Sequence, residues 1–144
     1  MAMRNGRRIP ARVTIAVVAL LATACSNGAS SAGSPSVLTR PSSDGTLTIV
    51  SPTDGQMVQG TSVRVRTKLT GAHVVAASTT NIVPDEGHLH ITVDGEIVAM
   101  NFGLSDQLTG LTSGIHTLQV EFVASDHLPF DPRVIQQVTF EVKP

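Results

Sequence analysis

The strongest constraint on this chain is a period of two. From residue 46 onward, apolar and polar residues alternate in short runs, and Gly, Pro and Asp separate the runs. Successive side chains of a strand point to opposite faces, so alternation marks a strand with one buried and one wet face. Ser62 to Leu69 shows it best: Val63, Val65, Thr67 and Leu69 share one face, and Arg64, Arg66 and Lys68 the other. Leu47 and Ile49, ahead of Ser51-Pro52, mark a first strand, and His73 to Ala77 a short one. His88 to Val93 turns Leu89, Ile91 and Val93 inward. Ile115 to Ala124 puts His116, Leu118, Val120 and Phe122 on one face, and Val134 to Val142 buries Val138, Phe140 and Val142. Leu104 to Leu111 reads as one short turn.

Asp94-Gly95 between two alternating runs is the sharpest local signal, since a two-residue hairpin needs residues that tolerate positive φ. It predicts the pairs Val93 with Glu96, Ile91 with Val98 and Leu89 with Met100, which sends Met100 to the core. About seven short strands in about 100 residues argue for an all-β antiparallel sandwich. With no Trp or Tyr, and Phe102, Phe122, Phe130 and Phe140 as its aromatic residues, the domain must rest its core on Val, Ile and Leu.

The first 43 residues have a different character. Arg4, Arg7, Arg8 and Arg12 precede an apolar run from Val13 to Leu21, and small residues follow. A charged start, a short apolar stretch and a small-residue cleavage site make residues 1–24 a secretion signal. The run is shorter than the roughly 20 residues a spanning helix needs. Ala22-Thr23-Ala24-Cys25 resembles the bacterial lipobox, which implies a lipid on Cys25. Cys25 is the only cysteine of the chain, so it has no disulfide partner in an oxidising compartment. Residues 25–43 are rich in Ser, Gly and Pro and read as a flexible tether, leaving 44–144 as one domain. With the signal set aside, six basic residues face eleven acidic ones, a net charge of −5 with His neutral. An acidic module of this kind is excluded from nucleic-acid binding, which needs a basic footprint.

The opening IVSPTDGQMVQGTSVRV resembles the first strands of bacterial immunoglobulin-like domains, and LTSGIHTLQVEF resembles their penultimate strand. GHLH, LTSGIHTL and DHLPFDP together are similar to largely uncharacterised extracytoplasmic domains that carry GHxH, then G-x-HTL and DH. The resemblance implies an immunoglobulin-like sandwich, without the paired Cys, strand Trp or corner Tyr of antibody domains. It does not imply one activity, because such domains serve in adhesion, spacing and ligand binding alike.

Chemistry rests on five histidines. His88 and His90, two apart on a strand, share a face. If their strand lies antiparallel to 115–124, His127 approaches His88, with Asp85, Glu86 and Asp126 in adjoining loops. His88, His90, His127 and Asp126 are therefore candidate ligands for copper or zinc. The same pair also fits a solvated polar strand face. His116 follows Gly114 among core residues, where related domains often have a Tyr that bonds the preceding turn, and reads as structural. His73 reads as a surface residue. Met57 and Met100 are of the type that suits Cu(I), but Met100 is expected inside. No P-loop, dinucleotide fingerprint, HExxH or G-x-S-x-G occurs. Ser125-Asp126-His127 has triad chemistry on a loop too short to converge. Leu128 and Phe130, beside Pro129 and Pro132, read either as an exposed contact for an envelope protein or as a plug over the end of the core.

These readings give a non-enzymatic, lipid-anchored module on the extracytoplasmic face of the cell membrane. The second reading is an envelope copper or zinc binder.

Overall fold

A computed structural model describes residues 39–144. Among them are nine strands and no helix: β1 Thr46–Ser51, β2 Gln56–Gln59, β3 Ser62–Thr70, β4 His73–Val74, β5 Glu86–Val93, β6 Glu96–Asn101, β7 Ser105–Thr109, β8 Gly114–Ala124 and β9 Pro129–Lys143. One sheet has the order β1-β3-β7, and the other β2-β9-β8-β5-β4, with β6 also on β5. β8 takes one edge of β5, so β4 and β6 share the other, β4 along Glu86–Gly87 and β6 along Leu89–Val93. The expected all-β sandwich is present. Its pairing is not wholly antiparallel, because β2 with β9 and β4 with β5 run parallel.

Alternation sets the core. Val63 and Val65 of β3 are buried between exposed Arg64 and Arg66. Leu47, Leu108, Leu89, Ile91, Val93, Leu118, Val120, Phe122, Phe130, Phe140 and Val142 join them in one apolar cluster. Each such side chain contributes roughly 1.5–3 kcal/mol through burial. Phe122 stacks on Phe130 with centroids 5.4 Å apart. Phe130 is thus a core residue, which favours the plug over the protein contact at that position, while Leu128 is exposed.

Other expectations change. Leu104 to Leu111 holds strand β7 rather than a turn, paired to β3 through Val63 and Leu108. The Asp94-Gly95 loop has positive φ at both residues (53° and 91°), as its turn type requires. The hairpin register then shifts: Val93 faces Glu96 and Thr92 faces Ile97, but Ile91 faces Ala99 and His90 faces Met100. A bulge at Val98 inserts one residue and exchanges the faces of β6 beyond it. Ala99 packs on the core, and Met100 lies on the outer face, 54% exposed.

The tether boundary also moves. Arg40 bonds to Asp126 and to the Leu128 and Pro129 carbonyls, Asp131 N–H donates to the Pro41 carbonyl, and Ser43 Oγ donates to Asp85. Residues 40–43 belong to the sandwich, because one guanidinium and a few backbone bonds hold a segment whose composition alone reads as flexible. The secretion signal and Cys25 lie outside the described residues.

Candidate metal centre

His88 and His90 project from the outer face of β5, opposite Val123 and Glu121 of β8. An outer face is ordinarily wet. Here it is covered: Gly87, His88, Leu89, His90 and Ile91 are all buried, as are Glu121 to Ala124. The cover comes from three directions. The chain after β4 is tied down by Val75 N–H to the Gly87 carbonyl (2.7 Å) and Thr79 N–H to the Ser125 carbonyl (3.0 Å). Phe102, just past β6, lies against His88 with ring centroids 5.2 Å apart. The turn after β8 brings in His127.

That turn is tightly built. His127 N–H donates to the Ala124 carbonyl (2.9 Å), and Ala124 N–H to the Leu128 carbonyl (3.0 Å). His127 has φ 66°, a left-handed conformation that L-residues adopt only when their surroundings impose it. Asp126 accepts the Leu128 N–H and a two-pronged bond from Arg40, at 2.6 and 2.9 Å. Guanidinium bonding is the main reason the Asp126 carboxyl sits below its usual range. Gly87 allows the close approach of β8, since a Cβ there would overlap the Val123 carbonyl.

Three ring nitrogens meet at the centre. His88 Nε2 lies 3.2 Å from His90 Nε2 and 2.9 Å from His127 Nδ1, and the last two are 3.4 Å apart. The arrangement is unsatisfied by hydrogen bonds alone. Each nitrogen of a neutral imidazole is a donor or an acceptor, never both. Three nitrogens in a mutual triangle therefore always include one donor–donor or acceptor–acceptor pair. Three lone pairs converging on one cation have no such conflict.

The protonation chemistry points the same way. Burial, reinforced by His127 and His90, lowers the His88 pKa to about 4. Burial and His127 also lower that of His90, against a weaker opposing pull from Glu121. Both rings are neutral near pH 7 and keep a lone pair. Ser78 Oγ lies 2.9 Å from His127 Nε2; with Nε2 protonated and donating to it, Nδ1 turns its lone pair to the cluster. His88 Nδ1 is buried without a partner.

The remaining candidates lie elsewhere. Asp126 is not part of the triangle; its carboxylate is engaged by Arg40. Asp85 accepts Ser43 Oγ and Asp44 N–H, and Glu86 begins β5. Ser125, Asp126 and His127 form no relay: the His127 ring is bonded to Ser78, His88 and His90. His116 has two acceptors, Asp94 Oδ2 at 2.6 Å and the Thr112 carbonyl at 2.8 Å, so both ring nitrogens carry protons. The Thr112 bond first, and the Asp94 bond second, raise its pKa. His116 locks the hairpin to the turn before β8, a structural role. His73 is exposed on β4 and Met57 on β2. Ser78, Phe102 and Arg40 have no signal in the sequence, because neither periodicity nor spacing joins them to the histidines.

No family model matches the chain, and no curated protein matches its sequence. Among solved structures, the fibronectin(III)-like modules of Clostridium thermocellum CbhA align over 67% of this chain and 94% of theirs, with 17% identity and a TM-score of 0.51. An engineered protein aligns over 69% of this chain and 20% of its own, with 14% identity and a TM-score of 0.46. CopC from Methylosinus trichosporium OB3b aligns over 69% and 94%, with 18% identity and a TM-score of 0.38. The CbhA match establishes the immunoglobulin-like, fibronectin(III)-like fold. The function has to be argued from the site.

Proposed function

We propose that this chain is a non-enzymatic binding module of the cell envelope, lipid-anchored through Cys25, whose ligand is a copper or zinc ion held by His88, His90 and His127. The observation that carries the reading is the nitrogen triangle, with sides of 2.9, 3.2 and 3.4 Å. Metal–nitrogen bonds of about 2.0–2.1 Å at tetrahedral angles put ligand nitrogens about 3.3–3.4 Å apart, so small shifts of the rings complete the site. Neutral imidazoles suit copper and zinc, and rings held neutral by burial release no proton on binding near pH 7. The envelope setting rests on the lipobox-like Ala22-Thr23-Ala24-Cys25 and the arginine-led apolar run before it. Double acylation would give stable anchoring for an acidic domain that anionic lipid does not attract.

Metal titration of the full chain tests the reading. Sub-micromolar binding of one copper or zinc ion is expected, with loss of that binding in the doubly substituted His88→Ala/His90→Ala protein. Unaltered affinity in the double variant, with its β-sheet spectrum intact, overturns it.

A further inference from the structure

Building on the metal-binding reading, we infer that the site is selective for monovalent copper and that Met100 supplies a fourth, thioether ligand. Three observations carry the inference, and the first is the charge of the donor set. Two carboxylates adjoin the triangle, and guanidinium groups hold both. Arg40 takes Asp126 at 2.6 and 2.9 Å, and Arg133 takes Glu121 at 2.6 Å to each oxygen. The ligands left are neutral imidazoles. A dication on neutral donors keeps its full charge, and the cost of removing charge from water grows with its square. A site that is buried at His88 and His90 and lined by Phe102 favours the monocation.

The second observation is register. Met100 is the direct cross-strand partner of His90. Residues directly opposite in an antiparallel pair share a face, with Cβ atoms about 4.5–5.5 Å apart. The bulge at Val98 is what turns Met100 outward to the histidines; without it Met100 would enter the core. An unbranched thioether with three rotatable bonds has the reach to close that separation.

The third observation is exposure. Met100 is 54% exposed, although the core beneath is built from Val, Ile, Leu and Phe and has an apolar residue, Ala99, at the adjoining position. Ile97 on the same outer face of β6 is as exposed (56%), so exposure leaves the Met100 side chain accessible, and of the two only Met100 offers a ligand atom. A soft sulfur beside three imidazoles suits Cu(I), while zinc gains little from a thioether.

The test compares the full chain with Met100→Leu, a near-isosteric change, and with His88→Ala/His90→Ala. Affinities for Cu(I) are read by competition with a chromophoric chelator under reducing conditions, Ag(I) serves as a redox-silent probe, and Zn(II) is the control. Met100→Leu is expected to weaken Cu(I) and Ag(I) by at least about tenfold while leaving Zn(II) within about twofold. X-ray absorption of the copper-loaded chain is expected to show one sulfur neighbour that Met100→Leu removes. Equal Cu(I) affinity and no sulfur neighbour, in a protein whose binding still needs His88 and His90, overturns the methionine and leaves the histidine site standing. No binding of any of the three ions by the unsubstituted chain overturns both.

Discussion

Acidification should destabilise this fold through its buried histidines, within a definite window. The perturbation is a fall in pH across the interval between the ordinary histidine value of 6.5 and the value of about 4 that burial imposes on His88. Within that interval the unfolded chain binds a proton at His88 that the folded chain refuses. The unfolded state then holds more protons, so stability rises with pH and is lost as pH falls. At pH 5 the loss from His88 alone is about 2 kcal/mol, reaching about 3 kcal/mol at pH 4. His90 is displaced in the same direction and adds to it. His116 acts in a different window. Its pKa is raised, so its contribution is complete below 6.5 and is lost as pH rises through the raised value. Asp94 and Asp126 are lowered from 3.8, so their contributions fade only at lower pH, beneath the window. Urea unfolding of the metal-free full chain at a series of pH values between 7 and 4.5 measures the slope. The parent protein should lose about 2 kcal/mol or more between pH 7 and 5, and His88→Phe less than half as much. A flat profile in the parent, or the same slope in His88→Phe, would show that His88 does not exclude a proton in the folded chain.

Other perturbations have equally definite outcomes. Arg40→Ala should lower stability by about 1–2 kcal/mol and weaken metal binding, because the His127 turn loses its brace. Arg40→Lys should restore little, since an ammonium lacks the two-pronged fork; full rescue, measured by urea midpoint and metal competition, would contradict this. Gly87→Ala should cost more than about 2 kcal/mol, because β5 must move away from the Val123 carbonyl. An unchanged melting temperature would count against that contact. Asp94→Ala should lower the His116 pKa as followed by NMR, and an unmoved titration would show that Asp94 does not stabilise the imidazolium.

How much of this was legible in the sequence depends on the range of each interaction. The sandwich was legible because alternation is local: Val63, Val65, Leu89, Ile91, Leu118 and Val120 all lie where period two puts them. Strand β7 was missed because only Leu108 of its five residues is buried, too few for a pattern. The bulge at Val98 left no turn residue to mark it, so the predicted register ran one residue short on β6 and Met100 went to the wrong face. For the histidines, spacing gave the shared face of His88 and His90, and antiparallel neighbours brought His127 near. Burial of that face was not foreseeable. It depends on Ser78, 49 residues from its partner His127, and on Arg40, 86 residues from Asp126. Asp126 was grouped with the ligands by its position in the loop, and the arginine that removes it came from a stretch whose composition reads as tether.

Whether three particular nitrogens share one ion is read by imidazole nitrogen NMR on the isotopically labelled full chain. One equivalent of Cu(I) or Zn(II) should shift Nε2 of His88, Nε2 of His90 and Nδ1 of His127 together, and saturate at one ion per chain. His73 and His116 should keep their positions. Shifts at His73 or His116 instead, or a titration that leaves His88 and His90 unmoved, would rule out the three-histidine site.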